Sequence, residues 1–202
     1  MLQNLDPRLI LASASDVRRT LLANAGLNFR AEAAAIDEAE IKRAARAGGG
    51  TAEQTATTLA GLKAQRVALR SPDAVVIGAD QILECDGEWF DKPTDREAAR
   101  RQLLALRGRA HVLATAVVCQ RGEHLLWHHI ARPRLTMRAF LDGFLDDYLA
   151  AEGDRVLTSV GAYRLEGLGI QLFERIEGEH TAILGLPLLP LLGFLRQHGV
   201  VR

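Results

Sequence analysis

Two serines and two arginines cluster in Ser13-Ala14-Ser15-Asp16-Val17-Arg18-Arg19, directly after an apolar run from Arg8 to Ala12 that reads as a buried strand. Where a strand gives way to a helix, the first helical amides are unpaired. Together with the hydroxyls and guanidiniums they attract an anion. Taken alone, the same residues also fit a Ser15 N-cap followed by a solvated basic face. No Gly-Lys-Ser/Thr follows a glycine-rich run, so the segment is not a P-loop. A second group, Gly78-Ala79-Asp80-Gln81, follows the apolar Val75-Val76-Ile77. This places a carboxylate at the carboxyl end of a strand, where open α/β sheets bind ligands. Asp80 in that position could hold a divalent metal or take a proton from water, or it could simply form the turn.

Three further groups carry less meaning in isolation. Asp37-Glu38 is an acidic pair in a loop, and Lys63 sits in a helical stretch; both kinds of residue are ordinarily solvated. In Asp91-Lys92-Pro93-Thr94 a lysine follows a hairpin and precedes a helix, so a proline-restricted turn could hold it as a phosphate ligand. In Tyr163-Arg164-Leu165-Glu166-Gly167-Leu168-Gly169, two glycines near a glutamate allow close backbone approach to a base or sugar, or form only a bend between strands. His128-His129 lacks one-face metal spacing, because neighbours on a strand point opposite ways, and His111, His180 and His198 form no HxH or HxxxH pair. Cys85 and Cys119 have no CxxC partner and lie in apolar runs, so they read as reduced core thiols. There is no Gly-x-Ser-x-Gly elbow.

The elements that must position these groups alternate between strand and helix. A helix is predicted from Ser15, with Leu21 and Leu22 inward and Gly26 stopping it. Glu32 to Arg46 reads as a strand end, a loop and a short helix, interrupted by Gly48-Gly49-Gly50. Thr51 and Gln54 form a capping-box pattern for a helix to about Leu69, followed by a strand from Ala74 to Ile77. Gln81 to Cys85 and Glu88 to Phe90 flank an Asp86-Gly87 hairpin turn. Thr94 with Glu97 predicts the next helix cap, and that helix ends near Gly108. Ala110 to Cys119 and His124 to Met137 read as two long strands, followed by a helix over Leu141 to Ala151, a strand from Ile170 to Ile176, and a last helix from about Pro187. Hairpins interrupting the strand–helix alternation predict an α/β fold with a mixed, not purely parallel, sheet.

Composition sets the outer limits. The 202 residues are 48% hydrophobic and 25% charged, enough to bury a core and to exclude wholesale disorder. Lys plus Arg number 25 and Asp plus Glu 25, so the net charge is zero, and neither nucleic acid nor an anionic membrane is the expected partner. Trp89, Trp127 and scattered Phe are too few for a base-stacking strip. No apolar run reaches the ~20 residues of a membrane span, and the N-terminal run is too short for a signal peptide. A cytosolic protein is expected.

In their order and spacing, LILASASDVRRTLL, the LAGLKA around Lys63, VVIGADQILECDGEWFDKP, GLGIQLFERIEGEH and ILGLPLLPL resemble the Maf-like nucleotide pyrophosphatases over nearly the whole chain. The resemblance implies one domain over residues 1–202 with two lobes about a mixed twisted sheet with flanking helices, and a nucleotide in the cleft between the lobes. It implies cytosolic hydrolysis of a nucleoside triphosphate between its α and β phosphates, assisted by a divalent metal, usually Mg2+, and a homodimer. By motif, Ser13, Ser15 and Arg18 would bind phosphate. Glu38, Lys63, Asp80 and Lys92 would form the catalytic and metal-binding group, with Asp80 as base and Asp80 and Glu38 as metal ligands. Asp16-Val17 replaces the family's usual Pro-Arg and loses a cation. Gln81 and Glu166 stand where the branch acting on thymidine and uridine triphosphates usually has Thr and Gln. They resemble instead the branch acting on 7-methyl-GTP, although Arg164 could neutralise Glu166. The resemblance also allows a nucleotide-binding regulator of septum formation with weak catalysis.

Overall fold

The structure is a computed structural model that describes residues 3, 4 and 6–202. Eight strands form one sheet in the order β2-β1-β3-β5-β7-β8, with β4 on β3 and β6 on β5. The strands are β1 (Leu9–Leu11), β2 (Arg30–Ala31), β3 (Val75–Cys85), β4 (Glu88–Phe90), β5 (Ala110–Arg121), β6 (His124–Ala131), β7 (Arg134–Met137) and β8 (Phe173–Glu177). The helices are α1 (Asp16–Asn24), α2 (Glu38–Ala47), α3 (Ala52–Ala68), α4 (Arg96–Leu106), α5 (Asp142–Glu152), α6 (His180–Ile183) and α7 (Leu188–Gln197). β1 pairs in parallel with β2 and β3, whereas β5 runs antiparallel to β3 and to both β6 and β7. The sheet is therefore mixed, as the hairpins predicted.

Alternation along β3 decides what each helix meets. Val75, Ile77 and Ala79 point to the face covered by Leu22 of α1 and by Leu191, Phe194 and Leu195 of α7. Val76 and Ile82 point to the other face, against the Ala56, Leu59, Ala60, Ala64 and Val67 stripe of α3. Small residues on that stripe bring the helix backbone close to the sheet. Gly78 is the residue that permits it, since a β-carbon there would lie 2.1 Å from the Ala60 carbonyl oxygen. A third cluster gathers Leu103 and Leu106 of α4, Leu145 and Tyr148 of α5, and Leu135 and Met137 of β7 beyond the hairpin end of β3.

Four details depart from the sequence reading. The run through Ile77 and the first arm of the hairpin are one unbroken strand, so Asp80 lies inside β3, opposite Ala116 of β5. β1 stops at Leu11, level with Ile77, so Asp80 still emerges just past the carboxyl end of its parallel neighbour. The predicted strand from His124 to Met137 is two strands separated at Arg132-Pro133; proline has no amide hydrogen to continue the ladder. The helix after the hairpin is capped by Asp95, whose carboxylate accepts from the Ala98 amide, with the Thr94 hydroxyl on the same carboxylate, in place of a Thr94 cap. Leu168–Leu172 is a 3-10 turn, and the strand predicted from Ile170 begins at Phe173. The Ser15 N-cap, the Thr51–Gln54 capping box and the Asp86-Gly87 turn form as read.

Candidate active site

A crevice of about 530 Å³ opens where β1 ends and β3 continues. Ser13, Ser15, Arg18, Glu38, Lys63, Asp80, Gln81, Lys92 and Glu166 all line it. Three of these are held by the alternation just described. On the α3 face of β3, one pleat beyond Gly78, Asp80 meets Lys63, which falls on the inner stripe of α3 between Leu59 and Val67. The Lys63 Nζ lies 2.5 Å from Asp80 Oδ1 and 2.8 Å from Glu38 Oε1, with Asp80 almost completely buried and Glu38 half exposed. Asp80 Oδ2 is buried and accepts no hydrogen bond. An ammonium thus bridges two carboxylates and leaves one carboxylate oxygen unpartnered beside the crevice.

Arg18 ties three elements together. Its Nη1 donates to the Ala79 carbonyl at 2.9 Å and to the Ser13 hydroxyl at 3.3 Å, while its Nε donates to the Gly185 carbonyl at 2.8 Å. Burial lowers its pKa, against the charges of Asp80 and Glu38, which raise it. Ser13 Oγ also accepts from the Ser15 amide, so the turn into α1 is braced from inside. Burial would raise the Glu38 carboxyl, but Lys63, by charge and by hydrogen bond, followed by Lys42 and Arg18, outweighs it and holds the group below its ordinary value. Lys92, at the exposed rim, is lowered by partial desolvation of its ammonium and then by Arg18.

Gln81 points to the opposite face from Asp80. Its Nε2 faces the Thr115 hydroxyl at 2.8 Å and the carbonyls of Ala182 and Ile183 at 3.0 and 3.1 Å. Three acceptors around the nitrogen fix the amide orientation and leave Oε1, an acceptor, for the crevice. Glu166 reaches the crevice from the turn after Tyr163, and its Oε1 lies 3.2 Å from Arg164 Nε. Tyr163 itself lines the crevice and is braced from behind by His111, whose Nε2 is 2.9 Å from the phenol oxygen. Burial lowers that imidazole to about 4, so it is neutral near pH 7.

Lys42 is a crevice residue that sequence reasoning missed. It stands one turn after Glu38 on α2, and i, i+4 spacing puts both on one face. Its Nζ lies 2.5 Å from Asp91 Oδ1. Farther along α2, Arg46 donates to the Trp89 carbonyl at 3.0 Å and stacks over its ring at 4.9 Å. The helix has no fully buried residue; Ile41 packs against the α3 cluster, and the polar ties hold the rest over the crevice.

The fold and site define an α/β protein with a crevice lined by the cations Arg18, Lys42, Lys63 and Lys92 and by the carboxylates Glu38, Asp80 and Glu166. Residues 8–198 match the family model for Maf-like protein, and the chain belongs to that family. It is 59% identical over 191 residues to a nucleoside triphosphate pyrophosphatase of Granulibacter bethesdensis, covering 95% of this chain and 97% of that protein. It is 52% identical over 195 residues to a protein of the same name from Rhodospirillum rubrum, covering 96% of each chain. It is also 49% identical over 195 residues to a 7-methyl-GTP pyrophosphatase of Rhizobium meliloti, covering 96% of this chain and 98% of that one. Among the described residues no helix is long and apolar enough to cross a membrane.

Proposed function

We propose that this protein hydrolyses nucleoside triphosphates to the monophosphate and pyrophosphate, acting at the α-phosphorus. The observation that carries the reading is Asp80, a nearly buried carboxylate lining the crevice, with one oxygen held by Lys63 and the other without a hydrogen-bond partner. A triphosphate brings about four negative charges, and attack by water requires that they be neutralised and the phosphorus oriented. Arg18, Lys42, Lys63 and Lys92 supply fixed positive charge around the crevice. Asp80 Oδ2 is the acceptor for the proton of the attacking water, and Lys63 keeps the carboxylate turned toward it.

A divalent cation, Mg2+ by its preference for oxygen donors, fits the same residues. The unpartnered Oδ2 of Asp80 and the half-exposed carboxylate of Glu38 are hard oxygen ligands of the number that Mg2+ takes from protein. Among the described residues there is no group of three or more His, Cys, Asp or Glu suited to a closed metal site. When bound, such an ion neutralises phosphate charge and polarises the P–O bond. Ser13, Ser15 and the amides opening α1 hold the phosphate tail.

For the base, Gln81 Oε1 and the Glu166 carboxylate are both acceptors, and the Watson–Crick edge of guanine offers two donors. Methylation at N7 adds a positive charge that suits a carboxylate. This supports a 7-methyl-GTP-like substrate over thymidine or uridine triphosphate. The family resemblance also supports a homodimer and a cytoplasmic location.

Incubation with Mg2+ and, separately, 7-methyl-GTP, GTP, uridine and thymidine triphosphates, followed by anion-exchange chromatography, tests the proposal. Monophosphate and pyrophosphate are expected in equal amounts, fastest from 7-methyl-GTP. Diphosphate and inorganic phosphate, or no product from any nucleotide, contradict the activity; preference for thymidine or uridine triphosphate contradicts the base assignment.

A further inference from the structure

We infer that Glu152 is a positioning residue for the base-recognising carboxylate, and that it sets how strongly Arg164 cancels the charge of Glu166. The inference rests on the proposed recognition of a cationic base by Glu166. Glu152 ends α5, and its side chain is only 2% exposed. Keeping a carboxylate from water costs free energy that paired charges and hydrogen bonds must offset. Its Oε1 accepts from the Leu168 amide at 3.2 Å, fixing the backbone two residues beyond Glu166. Its Oε2 is buried and accepts no hydrogen bond, and the Arg164 Nη1 lies 3.6 Å away. The other edge of that guanidinium, Nε, is 3.2 Å from Glu166 Oε1. Gly167 lets the turn pass this close, since a β-carbon there would lie 3.1 Å from Glu152 Oε1.

One guanidinium is therefore divided between two carboxylates at similar distances. Arg155 also approaches Glu152 Oε2, at 3.2 Å, but its Nε and Nη2 donate to the carbonyls of Glu152 and Ala151, and at 59% exposure its charge is screened by solvent more than that of Arg164. With Glu152 ionised, Arg164 only partly offsets Glu166, which keeps negative charge at the crevice. Without that charge, Arg164 has Glu166 as its sole partner and quenches it. Arg164 alone would make Glu166 a poor receptor for a cationic base; the buried carboxylate behind it restores that capacity.

Glu152→Gln keeps the size of the side chain and an acceptor for the Leu168 amide, and removes only the charge. Arg164→Gln removes the shared cation. The readout is the ratio of kcat/KM for 7-methyl-GTP to kcat/KM for uridine triphosphate. In parallel, dissociation constants are measured by calorimetry with the α,β-methylene analogues of both nucleotides. Glu152→Gln is expected to lower the ratio about fivefold, through KM for 7-methyl-GTP, with kcat for uridine triphosphate altered less than about twofold. Arg164→Gln is expected to raise it. A purely structural role would move both variants in one direction. Shifts in the same direction, an unmoved ratio, or a lower melting temperature with no change in relative affinity would overturn the inference. A wild-type protein that turns over no triphosphate overturns the proposed activity instead, and the affinity ratios then decide the role of Glu152 on their own.

Discussion

Replacing Asp80 by Asn is expected to lower kcat by about a thousandfold, the usual scale for loss of a positioned base. The asparagine keeps the shape of the side chain, and its Oδ1 still accepts from Lys63, so the packing of β3 against α3 persists. What disappears is the negative charge on the unpartnered oxygen. With it go the proton acceptor for water and a ligand for the cation, neither of which an amide nitrogen can replace. Pyrophosphate release at saturating nucleotide, with thermal unfolding alongside, checks this. A kcat within threefold of wild type would remove Asp80 from both roles.

The second large effect is at Lys63. In Lys63→Met the aliphatic stem still packs on the α3 stripe, but Asp80 and Glu38 then face each other without the ammonium that bridges them at 2.5 and 2.8 Å. Breaking a buried pair leaves an uncompensated charge, and a destabilisation of about 3 kcal/mol is expected, the low end of the range because Glu38 is half exposed. kcat/KM is expected to fall about a hundredfold, because the carboxylate loses the donor that orients it. The sign of the pH effect follows from Glu38. Burial raises that carboxyl and Lys63 lowers it, so removing the lysine lets the raising influence prevail. The acid limb of kcat/KM therefore moves to higher pH. A limb that stays in place would show that the Lys63–Glu38 pair does not govern ionisation in the site.

Lys63 also illustrates what was legible in the sequence. Its place between Leu59 and Val67 on an apolar helical stripe is the signal of an inward-facing lysine that needs a buried partner, and the expectation of a solvated lysine passes over it. Only the family resemblance groups it with Asp80 and Glu38; the residues alone do not name the partner, because the pairing of α3 with β3 depends on Gly78 admitting the helix backbone, and a glycine carries no label for what crosses it. The sequence places Asp80 at a strand exit because Gly78 interrupts the apolar run. The strand continues because β5 supplies a partner on through Glu84, which is a long-range fact. The mixed sheet, the caps at Ser15 and Thr51 and the Asp86-Gly87 hairpin are set by local chemistry, and so they were readable.

The missed residues share one character. Lys42 enters the crevice through i, i+4 spacing from Glu38, a signal present in the sequence once α2 is placed. Glu152 carries a comparable signal, falling four and seven residues after the inward-facing Tyr148 and Leu145 on α5. It lies at the end of an ordinary amphipathic helix, and only the tertiary fold seals it beneath the turn that carries Glu166. The shift of the α4 cap to Asp95 is a case where two neighbouring residues could each serve and packing selects between them, whereas the break at Pro133 follows from a local cause, a residue with no amide hydrogen.

The central claim is that water attacks the α-phosphorus in the crevice beside Asp80. Hydrolysis of 7-methyl-GTP in 18O-enriched water, with mass analysis of both products, tests it most directly. One 18O in the monophosphate and none in the pyrophosphate is the predicted result; label in the pyrophosphate would contradict it.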